Sequence, residues 1–467
     1  MASNLEVVIM AAGKGTRMKS SLPKVLHPVA GKPMVCHVID TARQLQARQT
    51  VVITGHGAEQ VEAALTASYG SAGLQFARQM TQLGTGHAVQ QAVPHLPDDG
   101  IVVVLSGDVP LTRPETLREL VAACGGHRLA LLTIELADPT GYGRIVRSPS
   151  GQVHAIVEHK DADEAQRAIR EVYSGIMAAP AKRLKAWLSR LDNHNAQQEY
   201  YLTDVVKFAE AEGVQVVAHT ISDVAEVAGV NSPVQLAELE RAYQQRQARV
   251  HMDAGVRIID PARFDVRGEL VCAQDVQIDV NCIFEGRVEL GQGVKIGANC
   301  VLANCTIAAG AVIHPFTHID GEKLGVSVGE GALIGPFARL RPGAELAAEV
   351  HIGNFVEVKN STLAKGAKAN HLAYLGDATV GERVNYGAGS ITANYDGANK
   401  HRTVIEADVH IGSNCVLVAP VTIGAGGTVG GGSTITKSTE PGALSVARGK
   451  QISIANWARP QKKKQVL

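Results

Sequence analysis

The sequence predicts two architectures in series: an α/β half with a largely parallel sheet, then a triangular coil of short parallel strands. Three observations carry that reading. Short apolar runs alternate with helical patterns over the first half of the chain. An aliphatic residue then recurs every six positions: Ile411, Leu417, Ile423, Val429 and Ile435 keep the step without a slip, as do Ile334, Leu340, Leu346, Ile352 and Val358, and Leu290, Ile296 and Leu302. Composition shifts between the two near residue 255, and 48 glycines with only 4% aromatic residues suit a glycine-cornered repeat better than an aromatic-rich sandwich.

In the first half, residues 5–10 (LEVVIM) form a continuous apolar run of strand length that empties into AAGKGTRMKSSLPK, residues 11–24. A buried parallel strand followed by a glycine-rich turn is a setting in which main-chain N–H groups face a phosphate. Further strands are predicted at 50–54, 101–105 and 129–134, with a helical pattern at 34–45 between them. That alternation builds a sheet with helices on both faces. Taken alone, G-x-G-x-R after a strand fits an ordinary tight turn as well as a phosphate cradle. Its companions favour the cradle. Arg17 and Lys24 put two cations on the same loop, and the strand at 101–105 ends in Ser106, Gly107 and Asp108. An acidic residue at the carboxyl end of a neighbouring strand is where a phosphate-bound Mg²⁺ needs an oxygen ligand.

Next comes SPVQLAELERAYQQRQARVHMDAG, residues 232–255. Ser232 caps, Pro233 suits the first helical position and Gln235 completes a capping box. Leu236, Leu239, Ala242 and Tyr243 make only a narrow apolar stripe, as expected of a mostly exposed helix between two bodies. About 20 residues would span about 30 Å, setting the halves apart. The expected domains are 1–231, a linker helix at 232–254, and 255–467.

In the second half a step of six places one aliphatic residue on each side of a triangle, so three steps close a turn and the next turn stacks on it. Glycine often follows the aliphatic residue (Gly291, Gly297, Gly335, Gly353, Gly412, Gly424), where the backbone turns a corner. The step slips between Leu302 and Ile307 and between Val358 and Leu363, and it is interrupted around residues 394–402. Insertions on the outside of a coil are where sites are built, and polar residues collect there: Arg341, Glu357, Lys359, Asn370, His371, Tyr374, Asn385, Asn394, Tyr395 and Lys400.

Bulk properties narrow the function classes. Over 467 residues, Lys plus Arg and Asp plus Glu both total 45, so no net field points to nucleic acid or a membrane surface. The seven cysteines show no C-x-x-C spacing and read as buried thiols of a reducing compartment. The first apolar run lacks the flanks of a signal peptide, and no segment approaches the about 20 apolar residues of a bilayer crossing. A soluble cytoplasmic protein is expected. The basic run RPQKKK at 459–464 reads as a solvated tail.

The first half resembles the sugar-phosphate nucleotidyltransferases, a Rossmann-like α/β family. The resemblance rests on Met10, Ala11, Ala12 and Gly13 with Lys14, Gly15, Thr16 and Arg17, on Pro23 and Lys24, on QLGTGHA at 82–88, and on Gly107 and Asp108. PTGYGR at 139–144, VEHK at 157–160 and Gly229, Val230 and Asn231 narrow it. The second half resembles the left-handed β-helix of hexapeptide-repeat acyltransferases. Together they resemble the bacterial enzymes that join N-acetylglucosamine-1-phosphate uridyltransferase to glucosamine-1-phosphate N-acetyltransferase, suppliers of peptidoglycan and lipopolysaccharide precursor.

That resemblance implies Mg²⁺ on Asp108 and Asn231, with Arg17 and Lys24 holding the phosphates of UTP. It gives Met10, Ala11, Ala12, Gly13 and Gly107 to the nucleotide loop, Gln79, Gly84 and Thr85 to the uracil side, and Gly143 and Glu158 to the acetylated sugar. In the coil, HLAYLGD at 371–377 matches the catalytic segment. A lone histidine in a repeat fits a structural role, but acetyl transfer needs a base to take a proton from the amine, and an unperturbed imidazole titrates near working pH. Glu357 is expected to orient His371. The resemblance assigns Arg341, Lys359, Tyr374 and Asn385 to the sugar phosphate, and Ala388, Ser413 and Arg448 to acetyl-coenzyme A, with Asn394 and Tyr395 beside them. It also implies a homotrimer with acetyl sites shared between chains. One departure stands out: where the family has Asn-Thr-Gly or Asn-Ser-Gly, this chain has Tyr173, Ser174 and Gly175, and no role passes to Tyr173. The alternative is a single-activity nucleotidyltransferase whose coil serves assembly or regulation.

Overall fold

The computed structural model describes residues 4–70 and 72–460, so residues 461–464 of the basic run lie outside the described part. The chain divides into two compact units between Arg246 and Gln247.

The first unit is built on one mixed sheet. Its strands are β1 (Leu5–Ala11), β2 (Gln49–Thr54), β3 (Leu74–Arg78), β4 (Ile101–Ser106), β5 (Leu129–Glu135), β6 (Arg144–Arg147), β7 (Val153–Val157), β8 (Glu171–Pro180) and β9 (Val216–Ile221). They lie in the order β9-β5-β8-β4-β1-β2-β3, with β6 and β7 as a hairpin on the flank of β8. The expected strands at 5–10, 50–54, 101–105 and 129–134 and the helix at 34–45 all form, the helix as Met34–Gln44. Apart from that antiparallel hairpin, one strand departs from the parallel rule: β8 runs antiparallel to both β4 and β5.

Alternation along β1 explains the layering. Leu5, Val7, Ile9 and Ala11 join one buried cluster with Val35, Val38 and Ile39 of the helix Met34–Gln44. Val8 and Ala12 join another with Leu184 and Trp187 of the helix Ala181–Leu188. Both faces of the strand are therefore apolar, as a sheet covered on two sides requires. β1 sits between β2 and β4, parallel to each. The connections leave β1 in opposite directions, and the carboxyl ends at such a switch point frame a crevice.

The helix Pro233–Asp253 forms where the capping pattern starts it. Ser232 Oγ accepts from Gln235 N at 3.3 Å, while Gln235 Oε1 accepts from Asn231 N at 2.8 Å.

The second unit is a triangular coil of parallel strands with one continuous core. Ile278, Ile296, Ile313, Ile334, Ile352, Ala369, Tyr386, Ile411 and Val429 stack in register on one face. Leu302, Ile319, Leu340, Val358 and Leu375 stack on the next. Val328, Leu346, Leu363, Val380, Ile405 and Ile423 complete the third. Cys36, Cys124, Cys282, Cys300, Cys305 and Cys415 are buried free thiols, and Cys272 is half-buried. Among the described residues, no helix is long and apolar enough to cross a membrane.

Candidate functional site

A cleft of about 290 Å³ opens at the carboxyl ends of β1 and β4. The anticipated Met10, Ala11, Ala12, Gly13, Lys24, Gln79, Gly84, Thr85 and Asp108 line it, together with Gln82 and Ser106, which the motifs contain but to which no role was given, and Glu199, which the sequence reading missed. The glycines shape it. Gly15 has φ +58°, and a Cβ there would lie 2.7 Å from Lys24 Cβ, so the bare backbone lets the lysine stem pass. Gly84 has φ +109°, and its Cβ would lie 2.6 Å from Tyr200 O. Gly107 N donates to Met10 O at 2.9 Å, tying the ends of the two strands together. Gln79 is buried and donates from Nε2 to Gly84 O at 3.1 Å, so its amide nitrogen holds the loop.

Lys24 Nζ lies against Asp108 Oδ2 and 3.1 Å from Asn231 Oδ1. Val230 N donates to Asp108 O at 3.0 Å, which brings the segment before the long helix to the end of β4. Two oxygens from distant segments thus converge on one cation. That geometry fits a divalent ion taking a carboxylate and an amide oxygen from protein and its other ligands from phosphate and water. Among the described residues, no group of three or more His, Cys, Asp or Glu side chains offers a metal an all-protein cage. Arg17 is not brought in: it is exposed on the short turn Thr16–Met18 and is absent from the cleft lining.

Gly143 and Glu158 lie together, beside a second cleft of about 320 Å³ that Glu158 shares with Asp161 and Asp204. A Cβ on Gly143 would lie 2.8 Å from Ile156 Cγ2 and 3.7 Å from the Glu158 carboxylate. Thr203 Oγ1 donates to Glu158 Oε1 at 3.1 Å. Burial, followed by the charges of Asp161, Asp204 and Glu199, pushes the Glu158 carboxyl above the usual range. Tyr173 N donates to Gly143 O at 2.9 Å. Its hydroxyl is buried without a protein partner, and burial drives its pKa well up.

On the coil, His371 ends the strand Lys368–His371, just before the corner into Tyr374–Gly376. Its ring is exposed, and Nδ1 meets Asn354 Oδ1 of the preceding coil at 2.8 Å. This corrects the expected Glu357–His371 pair. Register sets Asn354 opposite His371 and Glu357 opposite Tyr374, beyond the corner. There the Glu357 carboxylate is taken by Arg341 Nη1 at 2.8 Å and Arg339 at 3.5 Å.

The face beyond the corner gathers the cations. Lys359 is held below the usual lysine range by contact with Lys400 and then by the charge of Arg341. Two ammonium groups drawn together beside a guanidinium form a seat for a phosphate dianion. Lys400, noted in the sequence but given no role, is part of it. Tyr374 belongs here too: a Cβ on Gly376 would strike its ring, and it is the ladder partner of Glu357, which Arg341 holds. His371 stands at one edge of this face and the cations at the other, separated by a three-residue strand, on the order of 10 Å.

The remaining anticipated residues split into two groups. Ala388, Ser413 and Arg448 follow the His371 corner on successive coils: Asn414 N donates to Ala388 O at 2.7 Å, Gly432 N to Ser413 O at 2.8 Å, and Arg448 Nη1 to Gly431 O at 2.8 Å. Asn385 is exposed on the same face as His371. Asn394 and Tyr395 lie elsewhere, at the start of the insertion, where Asn394 Nδ2 and Asn360 Nδ2 both donate to the buried carboxylate of Asp377. Along the His371 corner, Phe316, Phe337 and Phe355 stack with ring centroids 4.9 and 5.2 Å apart, all at positive φ and all half exposed, with Leu372 next in the column.

Comparison with known proteins agrees with both units. Residues 7–188 match the MobA-like NTP transferase domain family. Residues 402–437 match the bacterial transferase hexapeptide family of six repeats, whose coil is a left-handed β-helix. Over almost its whole length the chain is similar to proteins named Bifunctional protein GlmU. It is 75% identical to one from a Polaromonas species, covering 99% of both chains. It is 75% identical to one from Polaromonas naphthalenivorans, covering 98% of both. It is 74% identical to one from Albidiferax ferrireducens, covering 98% of this chain and 100% of the relative.

Proposed function

The chain belongs to the family of bifunctional GlmU proteins, and we propose that it carries out two reactions in sequence in the cytoplasm. The coil moves the acetyl group of acetyl-coenzyme A to glucosamine 1-phosphate. The N-terminal unit couples the product to UTP, giving UDP-N-acetylglucosamine and pyrophosphate for cell-wall and lipopolysaccharide precursors. The observation that carries this reading is the pairing, on one chain, of a cleft whose oxygens converge on a cation and an exposed imidazole across one coil face from three cations.

In the first unit, an oxygen of the sugar phosphate attacks the α-phosphorus of UTP, and the bond to the outgoing pyrophosphate breaks in line. The attacking phosphate is already ionised, so a general base has little to do. The requirement is to bring two anions together. Lys24 supplies one cation from the cleft, and Arg17 supplies another once its exposed turn is drawn onto the phosphates. Gly13 offers open backbone to the nucleotide, with no atom within 4 Å of where its Cβ would be. Gly84 and Thr85 border the base, and Gly143 and Glu158 receive the acetylated sugar. Asp108 and Asn231 would hold Mg²⁺, which neutralises the triphosphate when bound.

On the coil, the sugar phosphate lies across one face, its dianion on Arg341, Lys359 and Lys400 and its amine at His371. The neutral amine attacks the thioester carbonyl, an N–C bond forms, the C–S bond breaks, and His371 takes the amine proton for delivery to the departing thiolate. Ala388, Ser413 and Arg448 follow the corner as a track for coenzyme A. Asn394, Tyr395 and Asn385 are not grouped with the partners assigned to them on the same chain. That separation, and the exposed Phe316, Phe337 and Phe355 column beside His371, support a homotrimer in which neighbouring coils complete each acetyl site.

The test is to incubate the protein with acetyl-coenzyme A, glucosamine 1-phosphate, UTP and Mg²⁺ and to follow free thiol and pyrophosphate separately. Both should appear, and His371→Ala should stop thiol release alone. Thiol without pyrophosphate removes half of the reading, and neither product removes all of it.

A further inference from the structure

The ring of His371 is held by a neutral amide where a carboxylate was expected. Asn354 ends the strand His351–Asn354 directly beneath His371, and the two residues are partners in the parallel ladder. Two features lock that register. Leu372 N donates to Asn354 O at 3.0 Å. A Cβ on Gly353 would lie 1.9 Å from Asn370 O, so only glycine lets the two coils approach this closely just before the pair. The contact between Nδ1 and Oδ1 at 2.8 Å therefore follows from the backbone rather than from a free rotation of two surface side chains.

We propose that Asn354 is the positioning residue of the acetyl-transfer base: its Oδ1 accepts the Nδ1 proton of His371, which fixes the tautomer with the lone pair on Nε2 and aims that nitrogen at the amine. This deepens the acetyl-transfer reading above and rests on it. An imidazole with two interchangeable tautomers offers its basic nitrogen in the right direction only part of the time, and an acceptor on the far nitrogen removes that ambiguity. The acceptor is neutral, so it orients the ring without placing a countercharge beside it.

From the preceding coil comes His351, whose own pKa is lowered by burial and then by the charges of Lys368, His314 and His371. Lys368 lies on its own strand, and on the following coil Asn385 pairs with Lys368 while the inward-facing Tyr386 pairs with Ala369. Across the corner Glu357 is committed to Arg341. The side-chain oxygen that meets the His371 ring is Asn354 Oδ1.

The experiment compares pH–rate profiles of thiol release for the full-length wild type, Asn354→Ala and the isosteric Asn354→Asp. Pyrophosphate release from supplied N-acetylglucosamine 1-phosphate and UTP serves as a control in the other unit. Asn354→Ala should lower kcat for thiol release roughly 10- to 100-fold with KM within about twofold, because part of a general base's contribution is lost. Asn354→Asp keeps the acceptor but adds a charge, and should move the acid limb of the profile upward by about one pH unit. A wild-type kcat in Asn354→Ala, or an unmoved limb in Asn354→Asp, overturns the proposal. If Asn354→Ala does not fold, the isosteric variant decides alone. Thiol release persisting in His371→Ala would instead sink the base assignment itself, whatever residue 354 does.

Discussion

Lys24 Nζ sits 3.1 Å from Asn231 Oδ1 while also contacting the carboxylate of Asp108, so one ammonium stands where the two metal-ligand candidates converge. Lys24 and Asp108 are both largely buried there, at 13% and 18% side-chain exposure, and a largely buried carboxylate needs a countercharge. On the proposed reading, the lysine and a divalent ion would compete for the same oxygens until a triphosphate drew the lysine away. Lys24→Met should cut pyrophosphate release by at least about 10²-fold. It should also tighten Mn²⁺ binding in the absence of nucleotide by at least about fivefold, since a like charge is gone. Direct Mn²⁺ titration reads the second effect independently of activity. Equal or weaker Mn²⁺ binding in the variant would show that the two oxygens do not form a metal seat.

Glu158 gives a pH signature. Its carboxyl is raised, mainly by burial, so the folded protein holds that proton more tightly than the unfolded chain. Below the ordinary carboxylate value the group is neutral in both states and costs nothing. As pH rises through the raised folded value, the folded state acquires a desolvated charge and stability is lost. Glu158→Gln keeps an acceptor for Thr203 and removes that charge. It should melt higher than wild type near pH 7, with the gap closing as pH falls toward about 4. The same variant should raise KM for N-acetylglucosamine 1-phosphate if the carboxylate receives the sugar. Melting curves across pH that run parallel for the two proteins would refute the linkage.

What the sequence disclosed and what it withheld differ by physical cause. The six-residue step announced the coil because each aliphatic residue answers to its own face, and Lys24 and Asp108 were legible because one lies on the loop that leaves β1 and the other just past the end of the neighbouring β4. The antiparallel course of Glu171–Pro180 was not legible, since an apolar run reads the same in either direction. Glu199 reaches the cleft from a segment with neither a periodic signal nor a motif. The partner of His371 was misread for a related reason. Charge favoured Glu357, but coil register decides contact, and it sets Asn354 under the ring while Arg341 claims the carboxylate.

The cation face of the coil predicts a second pH effect, of opposite kind. Lys359 is depressed chiefly by Lys400 and then by Arg341, so in the free protein it sheds its proton at lower pH than an isolated lysine. A phosphate dianion restores the proton, which ties substrate binding to it. Lys400→Ala should raise KM for glucosamine 1-phosphate roughly tenfold by removing one charged donor. At the same time, the rise in KM on the alkaline side should shift to higher pH, because Lys359 regains its ordinary basicity. Kinetics of thiol release between neutral and strongly alkaline pH check both. An alkaline limb that stays in place would mean that Lys400 does not govern Lys359.

Gly353 offers a test of how closely the acetyl site depends on coil spacing. Its φ lies outside the left-handed region, so backbone strain is not the issue; space is. A methyl group there would sit 1.9 Å from Asn370 O and 2.6 Å from Asn370 C, main-chain atoms of the next coil that no side-chain rotation can move aside. The coils must spread locally, at a cost of about 3 kcal/mol or more. The spread falls between Ile352 and Asn354 on one strand and Ala369 and His371 on the next, so the ladder that holds the imidazole opens first. Gly353→Ala should therefore lower the melting transition of the coil and reduce thiol release far more than its stability loss alone would predict. Pyrophosphate release should persist, because the sheet around β1 has buried clusters of its own. Two-probe thermal unfolding with separate assays of the two products measures this. A variant that melts and acetylates like wild type would show that the coils yield without disturbing His371.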